Sequence, residues 1–371
     1  SGFYFIYPTF FNSLYYCGAM RKTFTQKLFR WYSLYKRNLP WIGSNDPYKV
    51  WLSEVILQQT RVEQGLSYYQ KFVKKYPDIQ QLANAPHDEV MKMWEGLGYY
   101  SRARNMHSTA KQVVEELNSS FPDTYEGLIQ LKGIGQYTAH AILSYAYKKP
   151  FAVVDGNVLR VLARYFGIRE PIDTPKGKTL IQQHADSLLD KKEPDVFNQA
   201  MMDFGALICK PRQPDCENCP LQKSCAGYQQ ELTDILPVKS KKIKRQTRYL
   251  HFFVFRAGEK ILVEQRIAND IWKNLYQFPV IETSKNVSSK SLMESEDYQA
   301  FRIKNPLPVI TSPIFKQQLT HQQLICRFYI FDLKSIDKIK RSGVKQVTFT
   351  QLKQLAFPGV IRDFLKINDY F

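Results

Sequence analysis

Residues 131–139 read Leu-Lys-Gly-Ile-Gly-Gln-Tyr-Thr-Ala and set two glycines, Gly133 and Gly135, one residue apart at a predicted helix start. Glycine lets the backbone turn tightly and approach a ligand closely. The free amides there face outward at the positive end of the helix dipole, where a phosphate can sit. Taken alone, the pattern also suits a plain corner between two helices. Downstream, within Phe151–Val161, the apolar run Phe151–Val154 ends in Asp155, with a helix after it. Asp155 suits an N-cap, and the helix terminus favours an ionised carboxylate. Asn157, two residues on, can bind a nearby backbone or a ligand. Upstream, Trp51–Thr60 reads WLSEVILQQT. On a helix, Glu54 is flanked by Val50, Trp51, Leu57 and Gln58, so its surroundings are mostly apolar. A carboxyl in such a place is harder to ionise. Glu54 as a protonated acid and Asp155 as an anionic stabiliser would then divide the labour of one site.

Four cysteines, Cys209, Cys216, Cys219 and Cys225, follow in the loop CKPRQPDCENCPLQKSC with spacing C-x6-C-x2-C-x5-C. Four thiolates in one short loop can enclose a soft metal centre. Structural zinc sites usually pair two C-x2-C knuckles, and this loop has one. The spacing therefore favours a [4Fe–4S] cluster, with tetrahedral zinc as the alternative. Cys17 and Cys326 read as ordinary single thiols, and a disulfide framework does not suit so long a chain with six cysteines.

The chain has 371 residues, 44% of them hydrophobic, enough for two domains with real cores. A net charge of +18 favours a polyanionic partner, nucleic acid or an anionic membrane surface. No apolar run of about 18 residues offers a membrane-spanning helix. Residues 1–19 are aromatic and nearly uncharged, and Met20-Arg-Lys reads as a more natural start, so 1–19 are read as an extension. They lack the basic start and clean apolar core of a secretory signal. Residues 20–228 have helical periodicity. A basic linker occupies 229–246, with the run KSKKIKRQTR at 239–248. Beyond it, LHFFVF, KILVEQR, LICRFYIF and VKQVTF read as strands, and a helix is predicted near Gly359–Lys366. Residues 247–371 thus form a second, α+β domain. Reduced cysteines and the missing signal predict a cytoplasmic protein.

Together these segments resemble the helix-hairpin-helix DNA glycosylase superfamily, specifically its adenine DNA glycosylase (MutY) family. The matching stretches are RNLPW at 37–41, DPYKVWLSEVILQQT at 46–60, GLGYYSRARN at 96–105, LKGIGQYTAHAI at 131–142, VVDGNVLRV at 153–161, FNQAMMDFGALIC at 197–209 and the cysteine loop. The resemblance implies a mainly α catalytic domain of two helical lobes with a helix-hairpin-helix and an iron–sulfur loop. It implies a Nudix-like C-terminal domain that recognises 8-oxoguanine. The implied reaction is hydrolysis of the N-glycosidic bond of adenine mispaired with 8-oxoguanine or guanine in duplex DNA, by a monomer. The alternative is an endonuclease III-type glycosylase/lyase for oxidised pyrimidines. That type carries a lysine at the position of Tyr137 and lacks the glutamate matching Glu54. A DNA-binding iron–sulfur protein without activity would not need Glu54 paired with Asp155, and a membrane-surface protein would not need these motifs.

By the same resemblance, Glu54 protonates N7 of the flipped adenine, Asp155 stabilises the sugar cation, and Tyr137 and Asn157 support Asp155. Gln199 contacts the adenine, and Arg37 is a retained substrate- or DNA-binding residue. Gln59 with Tyr99 or Tyr100 wedges into the base stack. Gly133 and Gly135 clamp a phosphate, and Lys210, Arg212 and Lys223 on the cysteine loop contact others. Leu319-Thr320-His321 matches a Phe-Ser-His loop that contacts 8-oxoguanine, with Leu319 lacking the aromatic wedge. Ile42 stands where many members carry a polar or cationic side chain. The glutamate-rich metal box of Nudix hydrolases is not visible, so no pyrophosphatase activity is expected.

Overall fold

Val158, Val161, Leu162 and Tyr165 recur at three- and four-residue steps and bury one face of the helix Gly156–Phe166. Asp155 caps its start, and Gly167 ends it in the left-handed region at φ 66°. A computed structural model describes the backbone of residues 14–240, 245–303, 307–337, 339 and 343–370, with side chains from Arg21 onward. Residues 1–13 of the N-terminal stretch and 241–244 of the basic run lie outside the described residues, as does the Cys17 side chain. The helix Leu14–Tyr35 begins inside the stretch read from sequence as an extension.

Contacts divide the chain into two units, Ser1–Val55 with Ser120–Lys241, and Ile56–Ser119 with Lys242–Phe371. The sequence reading keeps 20–228 in one domain. The helices of 56–119 instead pack on the C-terminal segment. Tyr100 Oη donates to the Phe357 carbonyl at 3.2 Å, Phe357 N–H donates to Glu95 Oε1 at 2.8 Å, and Arg104 Nη1 donates to the Lys273 carbonyl at 2.7 Å. Hydrophobic periodicity reports which face of a helix is buried, not which distant segment buries it.

The first unit is helical. Phe24 and Trp31 on Leu14–Tyr35 reach the core formed by Gly156–Phe166 and Pro194–Leu207. Phe24 meets Tyr165 edge-on at 4.9 Å between ring centroids, and Trp31 meets Phe204 at 5.1 Å. Gly205 is needed for this packing, because a Cβ there would lie 2.6 Å from Asn157 Cβ. Gly133 sits at φ 79° before the helix Gln136–Tyr145, whose N-cap is Gly135. Gly133→Ala should therefore cost about 1 kcal/mol of stability, which thermal denaturation would measure.

Among the described residues, the second unit carries an eight-stranded sheet. Its strands are β1 (Gln246–Ala257), β2 (Lys260–Gln265), β3 (Tyr276–Gln277), β4 (Val280–Thr283), β5 (Ile310–Thr311), β6 (Phe315–Gln318), β7 (Gln322–Asp332) and β8 (Val344–Thr348). β1 runs parallel to β7 with Arg248 opposite Leu324, and antiparallel to β4 with Tyr249 opposite Thr283. Residues 250–255 of β1 are buried throughout, as a strand covered on both faces must be. Phe253 and Phe255 face Tyr298 and Phe301 beside the short helix Glu296–Gln299. Phe328 of β7 stacks at 3.9 Å on Phe364 of the helix Gly359–Ile367. β6 and β7 form a hairpin whose turn is Leu319-Thr320-His321.

Candidate active site

Glu54 lies on the helix Pro47–Leu57 within the apolar run that buries it, and is 7% exposed. Tyr137, on the helix that follows the glycine turn, donates its phenol to Glu54 Oε2 at 2.6 Å. Burial pushes the Glu54 carboxyl from 4.5 up to about 7, the Tyr137 hydrogen bond opposes the rise, and the Asp155 charge adds to it. The two acids therefore lie within electrostatic reach of one another. Asp155 is the N-cap of its helix as well as a partner of this site. Its Oδ1 accepts from the Asn157 and Val158 amides at 2.9 and 2.8 Å, and its Oδ2 accepts from Asn157 Nδ2 at 2.7 Å. Burial raises its pKa, while these donors and Arg160 pull it down. Three donors to Asp155 against one to Glu54 favour ionisation of Asp155 first. Tyr137 and Tyr145 are pushed well above the usual phenol range by burial and then by both acids, so both stay protonated.

A cavity of about 390 Å³ opens beside Glu54. Trp41, Ile42, Val50 and Tyr145 give it apolar walls, Gln199 adds a carboxamide, and Lys148 also lines it. Its size falls in the range of small-molecule sites. Asp155, Asn157 and Tyr137 are not among the residues that line it. Gln199 is oriented by Asp203, to which its Nε2 donates at 2.8 Å. A carboxylate accepts only, so the Gln199 carbonyl oxygen is left as an acceptor.

Asp203 is the partner the structure gives Arg37, which does not line the cavity. This fully buried carboxylate takes Arg37 Nε at 2.8 Å, Nη2 at 2.7 Å and the backbone N–H at 3.0 Å. Arg37 holds Asp203, and through it Gln199.

The four loop cysteines line a common cavity with Val161, Phe204 and Leu221. Burial pushes the Cys219 thiol up to about 12, with the Leu221 amide opposing and the other three sulfurs adding to the rise. Among the described residues, no set of three or more His, Cys, Asp or Glu side chains could hold a single metal ion. Arg160 and Arg164, one turn apart on the Asp155 helix, brace the loop. Arg160 Nε donates to the Cys209 carbonyl at 2.7 Å, and Arg164 Nη1 donates to the Lys210 carbonyl at 2.7 Å. Arg160 Nη2 also donates to Gly205 O at 2.7 Å and to Asn157 Oδ1 at 2.9 Å. A continuous path of hydrogen bonds thus runs from the loop through Asn157 to Asp155. Lys210, Arg212 and Lys223 are exposed on the outside of the loop.

In the second unit, Gln59 and Tyr99 are exposed residues held in the left-handed region, at φ 56° and 46°. Tyr99 Oη shares a 2.6 Å hydrogen bond with Thr320 Oγ1 in the β6–β7 turn. His321 is exposed in the same turn. Tyr100 is removed from the wedge residues. It is buried, with its hydroxyl accepting from Gly96 N–H at 3.3 Å while donating to Phe357.

The adenine DNA glycosylase of Buchnera aphidicola subsp. Baizongia pistaciae is 36% identical to this chain over 304 residues, 81% of this chain and 84% of the relative. The chain belongs to the adenine DNA glycosylase family. The Mus musculus adenine DNA glycosylase is 44% identical over 219 residues, 56% of this chain and 42% of the mouse protein. Residues 52–188 match the HhH-GPD superfamily base excision DNA repair protein, and residues 251–366 match the NUDIX domain. A thermostable thymine-DNA glycosylase structure superimposes with a TM-score of 0.54 at 29% identity, covering 57% of this chain and 98% of that one. No helix among the described residues is long and apolar enough to cross a membrane. Sequence reasoning missed Asp203, Arg160 and Arg164 in this adenine DNA glycosylase family member. The available signal was a lone acid in AMMDFGAL and two arginines four apart inside an amphipathic helix.

Proposed function

We propose that this chain hydrolyses the N-glycosidic bond of adenine opposite 8-oxoguanine or guanine in duplex DNA, acting as a monomer. The observation that carries this reading is Glu54, poised at about 7 beside a cavity of about 390 Å³ and within reach of a hydrogen-bonded Asp155. The adenine must leave the stack to reach that cavity. Protonated Glu54 gives its proton to N7, and the Gln199 oxygen accepts from the exocyclic amine. The bond from C1′ to N9 breaks, and its electron pair leaves with the base. Asp155 stabilises the cationic sugar. Water adds to C1′ and returns a proton to Glu54, leaving adenine and an abasic site.

Gly133 and Gly135 present amides to one phosphate, with Lys210, Arg212 and Lys223 on others. Gln59 and Tyr99 enter the stack, which offsets part of the unstacking cost, and the turn carrying Thr320 and His321 reads the opposing base. The four cysteines suit a [4Fe–4S] cluster. A single zinc needs four sulfurs about 2.3 Å from one centre, and among the described residues no such group is placed to hold one ion, although the four cysteines line a common cavity. The cluster, when bound, supplies a rigid anchor for the loop; the residues holding it would be Cys209, Cys216, Cys219 and Cys225.

Incubation with an 8-oxoguanine:adenine duplex and with a thymine-glycol duplex tests the reading. Adenine release without strand cleavage is expected, and binding should weaken steeply with salt. Release of the oxidised pyrimidine alone would replace it with the endonuclease III-type activity. Tyr137 argues against that outcome, since its phenol is occupied by Glu54 and supplies no amine.

A further inference from the structure

Arg248 of β1 has an acceptor for each of its five N–H groups. Nε donates to Glu282 Oε1 at 2.6 Å, and Nη2 to Glu282 Oε2 and Asp270 Oδ2 at 2.7 Å each. Nη1 donates to Asp270 Oδ1 at 3.1 Å and to Gln322 Oε1 at 3.2 Å. The side chain is 12% exposed. Two carboxylate forks fix the guanidinium plane rigidly, so its fifth bond fixes Gln322. Arg266 adds a further bond to Asp270 at 2.7 Å.

Gln322 is the first residue after the turn Leu319-Thr320-His321. Leu319 N–H closes that turn on Gln322 O at 2.8 Å, and Gln246 N–H, two residues before Arg248, holds His321 O at 3.0 Å. β1 thus holds the base of the turn twice, in the plane of the sheet through the Gln246 amide and from one face through the Arg248 side chain. At its tip, Thr320 bonds Tyr99. An isolated exposed ion pair would add little. This hub is partly buried and fully matched, and it directs one donor at the turn.

We infer that Arg248 is a positioning residue for opposite-base discrimination, acting through Gln322 to hold Thr320 and Tyr99 in the geometry that separates 8-oxoguanine from guanine. The inference rests on the reading of this turn as the sensor of the opposing base. Losing one hydrogen bond of this kind should lower the ratio of single-turnover excision rates, 8-oxoguanine:adenine over guanine:adenine, by about ten-fold. In the full chain, Gln322→Leu and Arg248→Lys are expected to show that loss with the guanine:adenine rate kept. Gln322→Glu keeps an acceptor and should keep the ratio. An unchanged ratio in Gln322→Leu overturns the inference, and that variant decides the matter should Arg248→Lys fail to fold. Thr320→Ala, run alongside, separates the two ideas. No change there removes the turn as the sensor, whereas a ratio lost in Thr320→Ala but kept in Gln322→Leu overturns Arg248 alone.

Discussion

Glu54→Gln will bind an 8-oxoguanine:adenine duplex like the parent yet lose base excision by about 10²–10⁴-fold, the range of a positioned acid and base. Glutamine keeps the shape and still accepts from the Tyr137 phenol, but it holds no transferable proton. The parent's single-turnover rate should fall as pH rises through about 7, because the acid form is then lost. The same substitution should stabilise the protein. Glu54 rises from 4.5 to about 7 on folding, so below pH 4.5 neither state is charged. Above that, the unfolded chain ionises first, and the folded state loses about 3 kcal/mol by the time pH has passed 7. Glutamine removes that slope, so urea denaturation at pH 8 should find the variant more stable, and at pH 4 no different. Near-normal excision by Glu54→Gln would reject Glu54 as the acid; equal stability at pH 8 would reject its burial as the cause of the shifted proton.

The parts of this site that were legible in sequence are those whose chemistry is local. Asp155 announces itself as a cap because cap, turn and helix are adjacent, and the structure gives it all three amide and side-chain donors within two or three residues. Glu54 is conspicuous because a carboxylate inside VWLSEVIL has no short-range reason to be there. What stayed hidden depends on partners far away in the chain. Arg37 is held by Asp203, 166 residues on, a pairing no local pattern encodes. Tyr99 and Tyr100 are neighbours of one residue type, and only the left-handed backbone at Tyr99 decides which one faces solvent.

The C-terminal sheet shows the same limit. β1, β2, β7 and β8 were legible as runs of five or more residues rich in aromatic and β-branched side chains. β3 and β5 have two residues each and β4 and β6 have four, too few for alternation to register against the surrounding loops. Their existence is imposed by the longer strands they pair with. The union of 56–119 with the C-terminal segment is likewise written in single long-range hydrogen bonds, such as the Tyr100 phenol to the Phe357 carbonyl, which no periodic pattern encodes.

Arg160→Met will cost both stability and chemistry, while Arg164→Met will cost mainly stability. Each arginine braces the cysteine loop from the same helix face. Arg160 alone continues to Asn157 Oδ1, and Asn157 Nδ2 continues to Asp155 Oδ2. Methionine at 160 leaves the acceptors Cys209 O, Gly205 O and Asn157 Oδ1 without their donor, at about 1 kcal/mol or more each, roughly 3–4 kcal/mol together. It also frees the Asn157 carboxamide to rotate, so Asp155 loses its side-chain donor and the anion is stabilised less. A misplaced stabilising group costs about 10²-fold in rate. Methionine at 164 strips the carbonyls of Lys210, Pro211 and Leu236 of theirs, a loss of similar size that does not touch Asn157. Single-turnover excision well below both melting temperatures separates the two effects. A deficit confined to Arg160→Met ties the loop to Asp155 through Asn157. Equal residual rates in the two variants would mean that the loop carries no more than scaffold strength, and that Asp155 is held well enough by its two backbone amides.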